Sequence, residues 1–520
     1  AAQRQAAARR QEEAMNHVGD WTAYWARRTP EATALFEPLT GRRWSYWHLD
    51  RRANRLARAL AGALGVGKGD RVAVLAHNRG EHFEALFACA KLGAIFAPFN
   101  WRLAAAELDG IIADAQPQVL LYDRACAELA GGVVAPIAHR IAYDEPTAGG
   151  RSYEQLLAAG ADTPPTPIEV DFEDPVVLMY SSGTTGRPKG ALLSHRQLVF
   201  NSLSTHLAIE LTTRDSTLDF MPMFHTGGLN CLATPLLHNG GRVVILPSFD
   251  AERALHVAAD EKITLHMGVP TIYQMWRDSE SFARVDLSST RMALCGGAPC
   301  PLPLIDAYRE RGVLFRQGYG LTEVGPNCFS LTPEDTFRKA GSVGWPNFYL
   351  QTKIVDDTGQ PVPIGDVGEL ALGGPMVTLG YFRNAEATAH AFRGTRFFHT
   401  GDLVRRDDEG YHYIVDRKKD MFISGGENIY PAEIELALAA LGGVAEACVI
   451  AIPDTRWGEV GRAVVVTAPG AQLDAAGVLA HLGGRLARYK IPKSVIFTDA
   501  LPRNSTGKVL RQRVRERFGT

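Results

Sequence analysis

The chain has 520 residues, 46% of them hydrophobic and 22% charged, with a formal net charge of −2. That is the balance of a globular protein of about two to four structural units, and it excludes the broad basic face that would hold nucleic acid or an anionic membrane. The seven cysteines are odd in number and form no Cys-x-x-Cys pair, and no apolar run approaches the ~20 residues of a membrane span, so a reducing cytoplasm is expected rather than a disulfide framework or a membrane anchor.

The first stretch, 1–10, is rich in Ala and Arg. Glu12 and Glu13 and the lack of serine argue against a targeting peptide, and an exposed helix is expected there. Residues 16–120 alternate helical and strand patterns. A helix-like segment over 49–64 ends at Gly65, and 71–75 reads as a strand. Phe83, Leu86, Phe87 and Ala90 mark one helix face, and 95–97 and 119–122 read as further strands. Such alternation implies a layered α/β fold with a largely parallel sheet. Residues 145–170, rich in Pro, Gly, Ala and Thr, read as a connection.

An apolar run over 176–180 predicts a short buried strand. It feeds Ser181-Ser182-Gly183-Thr184-Thr185-Gly186-Arg187-Pro188-Lys189-Gly190. The glycines let backbone N–H groups close on an anion, the hydroxyls of Ser181, Ser182, Thr184 and Thr185 can donate to phosphate oxygens, and Lys189 and Arg187 add positive charge. The stretch reads as a phosphate cradle, but not as the Walker A pattern, so a P-loop NTPase is not expected. Ser194 and Gln197 then fit a capping box opening a helix, which sets the loop among a strand pair and that helix. The bland alternative is a flexible Ser/Thr/Gly surface loop; the preceding strand and the capped helix weigh against it.

The stretch 218–222 leads to Phe224-His225, and the α/β rhythm continues through strands at 243–246 and 263–267 to 292–294, with a helix over 251–260. Two Gly-rich turns follow, Gly296-Gly297-Ala298-Pro299 and Gln317-Gly318-Tyr319-Gly320-Leu321-Thr322-Glu323. From about 341 the texture becomes β-rich, with strands at 351–355, 368–372 and 411–415 and a hairpin-type turn at 356–359. A fresh α+β unit follows a charge cluster at 416–420. There Pro431 suits a first helical position, Ile434, Leu438 and Leu441 share one face, and 447–452 and 463–467 read as strands. The expected division is 1–418, with its β-rich part at 341–418, and 419–520.

Together these motifs, in this order over roughly 20–515, resemble the adenylate-forming superfamily, in its acyl-CoA synthetase and fatty-acid–CoA ligase branch. The resemblance implies a large N-terminal domain of layered α/β subdomains with a β-rich subdomain, and a small mobile α+β C-terminal domain joined at Lys419. It implies that Ser181, Ser182, Gly183, Thr184, Thr185, Gly186 and Lys189 hold ATP phosphates and that Gly297 and Ala298 border the adenine. By the same resemblance Tyr319 stacks on adenine beside Gly320, Thr322 touches the α-phosphate, and Glu323, with Thr184, holds Mg²⁺. A hard cation suits carboxylate oxygen, and it offsets the charge that repels a carboxylate nucleophile. Asp402 of Thr400-Gly401-Asp402 and Arg417 would contact the ribose; Asp416 stands where the family usually has glycine. Lys508, in Pro502-Arg503-Asn504-Ser505-Thr506-Gly507-Lys508, would bridge the carboxylate and the α-phosphate as charge builds. Gly425 and Gly426 would line the CoA tunnel, and Trp457 is either core or a CoA contact.

His225, in Phe224-His225-Thr226-Gly227-Gly228, stands where amino-acid-activating relatives carry Asp. With Gly227, Gly228, Met267 and Gly318 it would form an acyl pocket. These segments carry no Arg to receive a second carboxylate, so a fatty or aromatic monocarboxylic acid is expected. The implied activity is ATP-dependent acyl-CoA ligation through an acyl-adenylate, with ATP, Mg²⁺ and coenzyme A. Transfer to a carrier-protein thiol and a non-catalytic nucleotide-binding protein are the rival readings. A kinase would yield ADP and lacks its P-loop. The acid's identity and the oligomeric state are not legible; a homodimer is one assembly the reading allows.

Overall fold

The computed structural model describes residues 17–144, 151–166, 168–181, 188–298, 300–424, 427–483, 485–503 and 508–519. Residues 182–187, 425–426 and 504–507, with much of the expected phosphate cradle, CoA-tunnel loop and lysine motif, therefore lie outside the described residues, as does the 1–10 stretch. The chain divides into two compact units, Ala1–Gln351 with Leu372–Phe398, and Thr352–Ala371 with His399–Thr520. Lys419 lies within the second.

The first unit is built on an eight-stranded and a nine-stranded sheet. In the first sheet Arg71–Leu75 is flanked by Ile95–Pro98 and Val119–Tyr122, all parallel. The antiparallel hairpin Pro175–Ser181 and Lys189–Ser194 extends it on the far side of Ile95–Pro98. In the second sheet Ser216–Asp219, Arg242–Ile245, Leu265–Gly268, Met292–Cys295 and Leu314–Leu321 run parallel. The alternation of strand and helix predicts this arrangement; antiparallel strands are confined to the margins, where a hairpin can join a sheet without a crossover.

Local chemistry accounts for the helices that carry the core. Tyr46–Leu64 begins where the Ser45 hydroxyl accepts from the His48 N–H at 3.2 Å, and ends at Gly65 in the left-handed conformation (φ 67°). It buries Leu49, Leu56 and Leu60 against the helix Glu81–Leu92, each leucine contributing roughly 1.5–3 kcal/mol. Glu81–Leu92 is enclosed on nearly every side, not on one face only. Its Glu84 is fully buried and accepts hydrogen bonds from Trp44 Nε1 (2.6 Å), Arg52 Nε (2.6 Å) and Tyr153 OH (2.7 Å).

Tyr153 corrects the reading of 145–170 as a connection. Ser152 and Gln155 form a capping box that opens the helix Tyr153–Ala158, and Tyr153 is wholly buried. The Pro- and Gly-rich surroundings hid a helix too short to show a period. A second correction concerns Gln197. Ser194 does cap the helix His195–Ile209 by accepting the Gln197 N–H at 3.2 Å, but the Gln197 side chain does not return to close a box. Its Nε2 donates instead to the Thr322 carbonyl at 3.4 Å.

The second unit holds most of a four-stranded sheet, Gln351–Val355, Gly368–Gly373, Phe398–Arg406 and His412–Arg417. It also holds a five-stranded one centred on the hairpin Val444–Asp454 and Gly458–Thr467. Pro431 opens the helix Pro431–Ala439, whose buried Ile434 and Leu438 pack on that second sheet.

Candidate active site

In the first unit the described ends of the expected phosphate loop are brought together: Ser181 pairs with Lys189 across the hairpin. The Lys189 ammonium lies 5.2 Å from the centre of the Tyr381 ring, and the Tyr381 hydroxyl donates to Glu323 Oε1 at 3.0 Å. Burial and the neighbouring Glu323 carboxylate raise the Tyr381 phenol well above its ordinary value, so it remains a neutral donor. The backbone around Glu323 is fastened as well: the Thr378 N–H donates to the Glu323 carbonyl at 2.7 Å. Tyr381 thus joins the lysine of one motif to the carboxylate of another. It was missed from the sequence because Gly380–Tyr381 is a two-residue strand with no motif of its own.

Tyr319 is half-buried, its ring 5.7 Å from Phe329 at 68°, and Thr322 beside Glu323 is buried. Gly320 between them admits no other residue. A Cβ there would stand 2.2 Å from the Pro326 carbonyl oxygen and 2.6 Å from that of Gly325. Gly320→Ala is expected to cost about 1–3 kcal/mol or more by forcing the strand pair apart, read as a lowered denaturant midpoint together with weakened nucleotide binding. An unchanged midpoint would show that the turn can give way.

His225 caps the helical turn Thr226–Gly228, its Nδ1 accepting the Gly227 N–H at 3.3 Å. In the neutral ring this leaves the proton on Nε2, so the second ring nitrogen is a donor. The chain continues as a π-helical turn, Leu229–Ala233, a form common at functional sites. Gly228 is buried where a Cβ would lie 2.4 Å from the Pro222 carbonyl oxygen.

Met267 and Gly318 meet, with Gly296, in the wall of a narrow cleft of about 30 Å³ free volume, whereas His225, Gly227 and Gly228 do not line it. Arg316 and Asn327, which no sequence pattern singled out, share that wall. Gly297, in the left-handed region at φ 81°, and Ala298 are exposed at the end of Met292–Cys295. A larger cleft of about 500 Å³ opens at the opposite, N-terminal ends of the strands, lined by residues such as Arg214, Asp215 and Glu261. Ligands of open α/β sheets sit at the carboxyl ends, and none of the motifs reaches this one.

The second unit carries its own set. Arg417 Nε lies 3.0 Å from Asp402 Oδ1 across the ladder, and Asp402 is buried. Asp416, the departure from the family pattern, has a structural use. Its carboxylate accepts the Arg417 N–H at 2.7 Å and the Ala432 N–H at 2.9 Å, capping the helix that begins at Pro431. Lys508 lies in the field of Arg417, Asp402, Lys419 and Asp420. Enclosure of its stem and the Arg417 charge push its ammonium down to about 8, although the residue keeps an exposed surface. Ser424 and Glu427, on either side of Gly425 and Gly426, pair with each other, and Ser424 also pairs with Gly458. Trp457, next to Gly458, is 40% exposed, which removes the core alternative for it.

The half-buried Glu323 carboxylate, oriented by a tyrosine hydroxyl, fits the hard oxygen ligand that Mg²⁺ prefers. The cluster His77, Asp123 and Cys126 does not. Asp123 accepts the His77 and Cys126 backbone N–H groups at 2.9 and 2.8 Å, and a thiol is a soft ligand.

A family profile described as AMP-binding enzyme matches residues 22–382, and one described as AMP-binding enzyme C-terminal domain matches residues 433–508. The chain is 43% identical to a feruloyl-CoA synthase of Amycolatopsis sp, over 96% of this chain and 99% of that protein. It is 42% identical to an indoleacetate–CoA ligase of Aromatoleum aromaticum, over 96% and 98%. Among solved structures it is similar to ATP-bound MatB from Rhodopseudomonas palustris, with a TM-score of 0.87 and 34% identity over 97% and 99%.

Proposed function

We infer the reaction from one premise: the chain belongs to the AMP-binding enzyme family, in its acyl-CoA ligase branch. It is an AMP-forming acid–thiol ligase that uses ATP and CoA to activate a fatty or aromatic acid. A carboxylate oxygen attacks the α-phosphorus of ATP and pyrophosphate leaves. The CoA thiolate then attacks the acyl carbon and AMP leaves.

Within that reaction the roles are ours. Lys189 and the loop before it hold the phosphates, with Tyr319 against the adenine and Thr322 at the α-phosphate. Glu323, with Thr184, would hold Mg²⁺, which when bound neutralises phosphate charge. His225 orients the substrate carboxylate through Nε2–H. Asp402 and Arg417 hold the ribose, Lys508 serves the first half-reaction, and Gly425, Gly426 and Trp457 meet CoA in the second. Lys419 is the joint between the two half-reactions. The seven free cysteines fit a reducing cytoplasm, and no helix among the described residues is long and apolar enough to cross a membrane.

The observation that supports this assignment is the Lys189–Tyr381–Glu323 chain, which brings together the lysine of the expected phosphate loop and the carboxylate expected to hold Mg²⁺. Its test is ATP–pyrophosphate exchange over short, medium, long and aromatic acids, followed by CoA or a carrier-protein thiol as acceptor. Acid-dependent exchange and a CoA thioester product are expected. Exchange with no acid, or transfer to the carrier thiol alone, would overturn it.

A further inference from the structure

Arg316 belongs to the strand Leu314–Leu321 and is 9% exposed. Strand alternation puts its side chain on the same face as Gly318, one step of about 7 Å further from Tyr319 along the strand. Both residues line the cleft that Met267 and Gly296 also border. The guanidinium donates through Nε to the Leu331 carbonyl at 3.2 Å and through Nη1 to the Ala208 carbonyl, at the end of the helix His195–Ile209. A guanidinium has five N–H groups. The other three have no hydrogen-bond partner among the described residues, and no carboxylate there lies at ion-pair distance, the Glu334 and Glu210 charges acting on it only from further away. Capping the helix end therefore accounts for part of this side chain only.

The rest of the cleft matches. Asn327, whose Nδ2 donates to Thr205 Oγ1 at 2.6 Å and to the Cys231 carbonyl at 2.9 Å, adds polar atoms to the same lining, while Met267, Leu294 and Phe329 supply apolar walls. Gly318 brings no side chain into the space before Arg316. The free volume of about 30 Å³ holds roughly two waters, so an entering ring must displace adaptable walls, for which Met267 is suited. An alkyl chain driven into this cleft would shield a buried guanidinium whose remaining N–H groups it cannot satisfy, which is costly.

We propose that the cleft lined by Met267 and Gly318 is the deep part of the acyl pocket, and that Arg316 in its wall selects ring-bearing acids that carry an oxygen acceptor there. The acceptor chemistry is common to a ring hydroxyl and to a second carboxylate, and substrate pairs separate the two. This rests on the acyl-CoA ligase reading above.

The test compares kcat/KM for pyrophosphate release with 3-phenylpropanoate, its 4-hydroxy and 4-carboxy analogues, and octanoate, in wild type, Arg316→Leu and Arg316→Lys. The wild type is expected to favour one oxygen-bearing acid over 3-phenylpropanoate by about 10-fold or more, because a site built to hydrogen-bond an oxygen rejects the analogue that lacks it. Arg316→Leu is expected to bring that ratio to roughly one and to raise the activity with octanoate. Arg316→Lys is expected to keep part of the preference. A wild-type ratio near one overturns the proposal, even if the leucine variant fails to fold. So does a ratio that persists in a folded leucine variant. Activity with no acid in the set, octanoate included, would instead count against the ligase reading itself.

Discussion

Lys508→Ala is expected to lower ATP–pyrophosphate exchange by roughly 10²–10³-fold while leaving thioesterification of preformed acyl-adenylate by CoA nearly intact. The size is that of removing one preorganised charge from a transition state in which negative charge grows on the phosphoryl oxygens. The split between half-reactions is the informative part, because a residue needed only for folding would lower both. The surroundings of Lys508 add a pH signature. An ammonium pushed down to about 8 is charged below that pH and neutral above it. The adenylation rate should therefore fall as pH rises through about 8. Arginine stays charged throughout that range, so Lys508→Arg should abolish this limb, whatever activity it retains. Equal loss of both half-reactions in the alanine variant, or a pH limb unmoved in the arginine variant, would remove Lys508 from the role.

Glu323→Gln is expected to reduce exchange by about 10²-fold and to raise the Mg²⁺ concentration needed for half-maximal rate. The amide keeps an oxygen to accept from the Tyr381 hydroxyl, now at 3.0 Å, so the fold should survive and thermal unfolding should move little. Only the charge that attracts a hard cation is lost. Tyr381→Phe separates position from charge. It should leave the Mg²⁺ requirement of the same order and cost about 1 kcal/mol of transition-state stabilisation, near 5-fold in rate, because the carboxylate loses one orienting donor. A glutamine variant with wild-type Mg²⁺ dependence would place the metal elsewhere.

The corrections share a cause. Gln197 satisfies a capping-box pattern in one dimension, yet Thr322, far along the chain, offers its amide a partner. Asp416 looks like a local departure until the helix at Pro431 is seen to need its carboxylate. Arg316 lies outside the segments around His225 and Met267, and only the pairing of the strand Leu314–Leu321 with its neighbours delivers this cation to the cleft. Tyr381 offered no pattern at all.

Sequence alone determined the kind of element at most positions and the family to which the loops belong. Both depend on interactions among residues a few places apart: the period of apolar side chains, a capping serine, a glycine free to take positive φ. The helix after Ser152 escaped because it is shorter than its own period can reveal. Tertiary structure decided which distant side chains share a hydrogen bond or a cleft wall. A strand's two faces are equivalent until a helix and neighbouring strands cover them, so Tyr381 reaches Glu323, and Arg316 the cleft, only through the packing of the first unit.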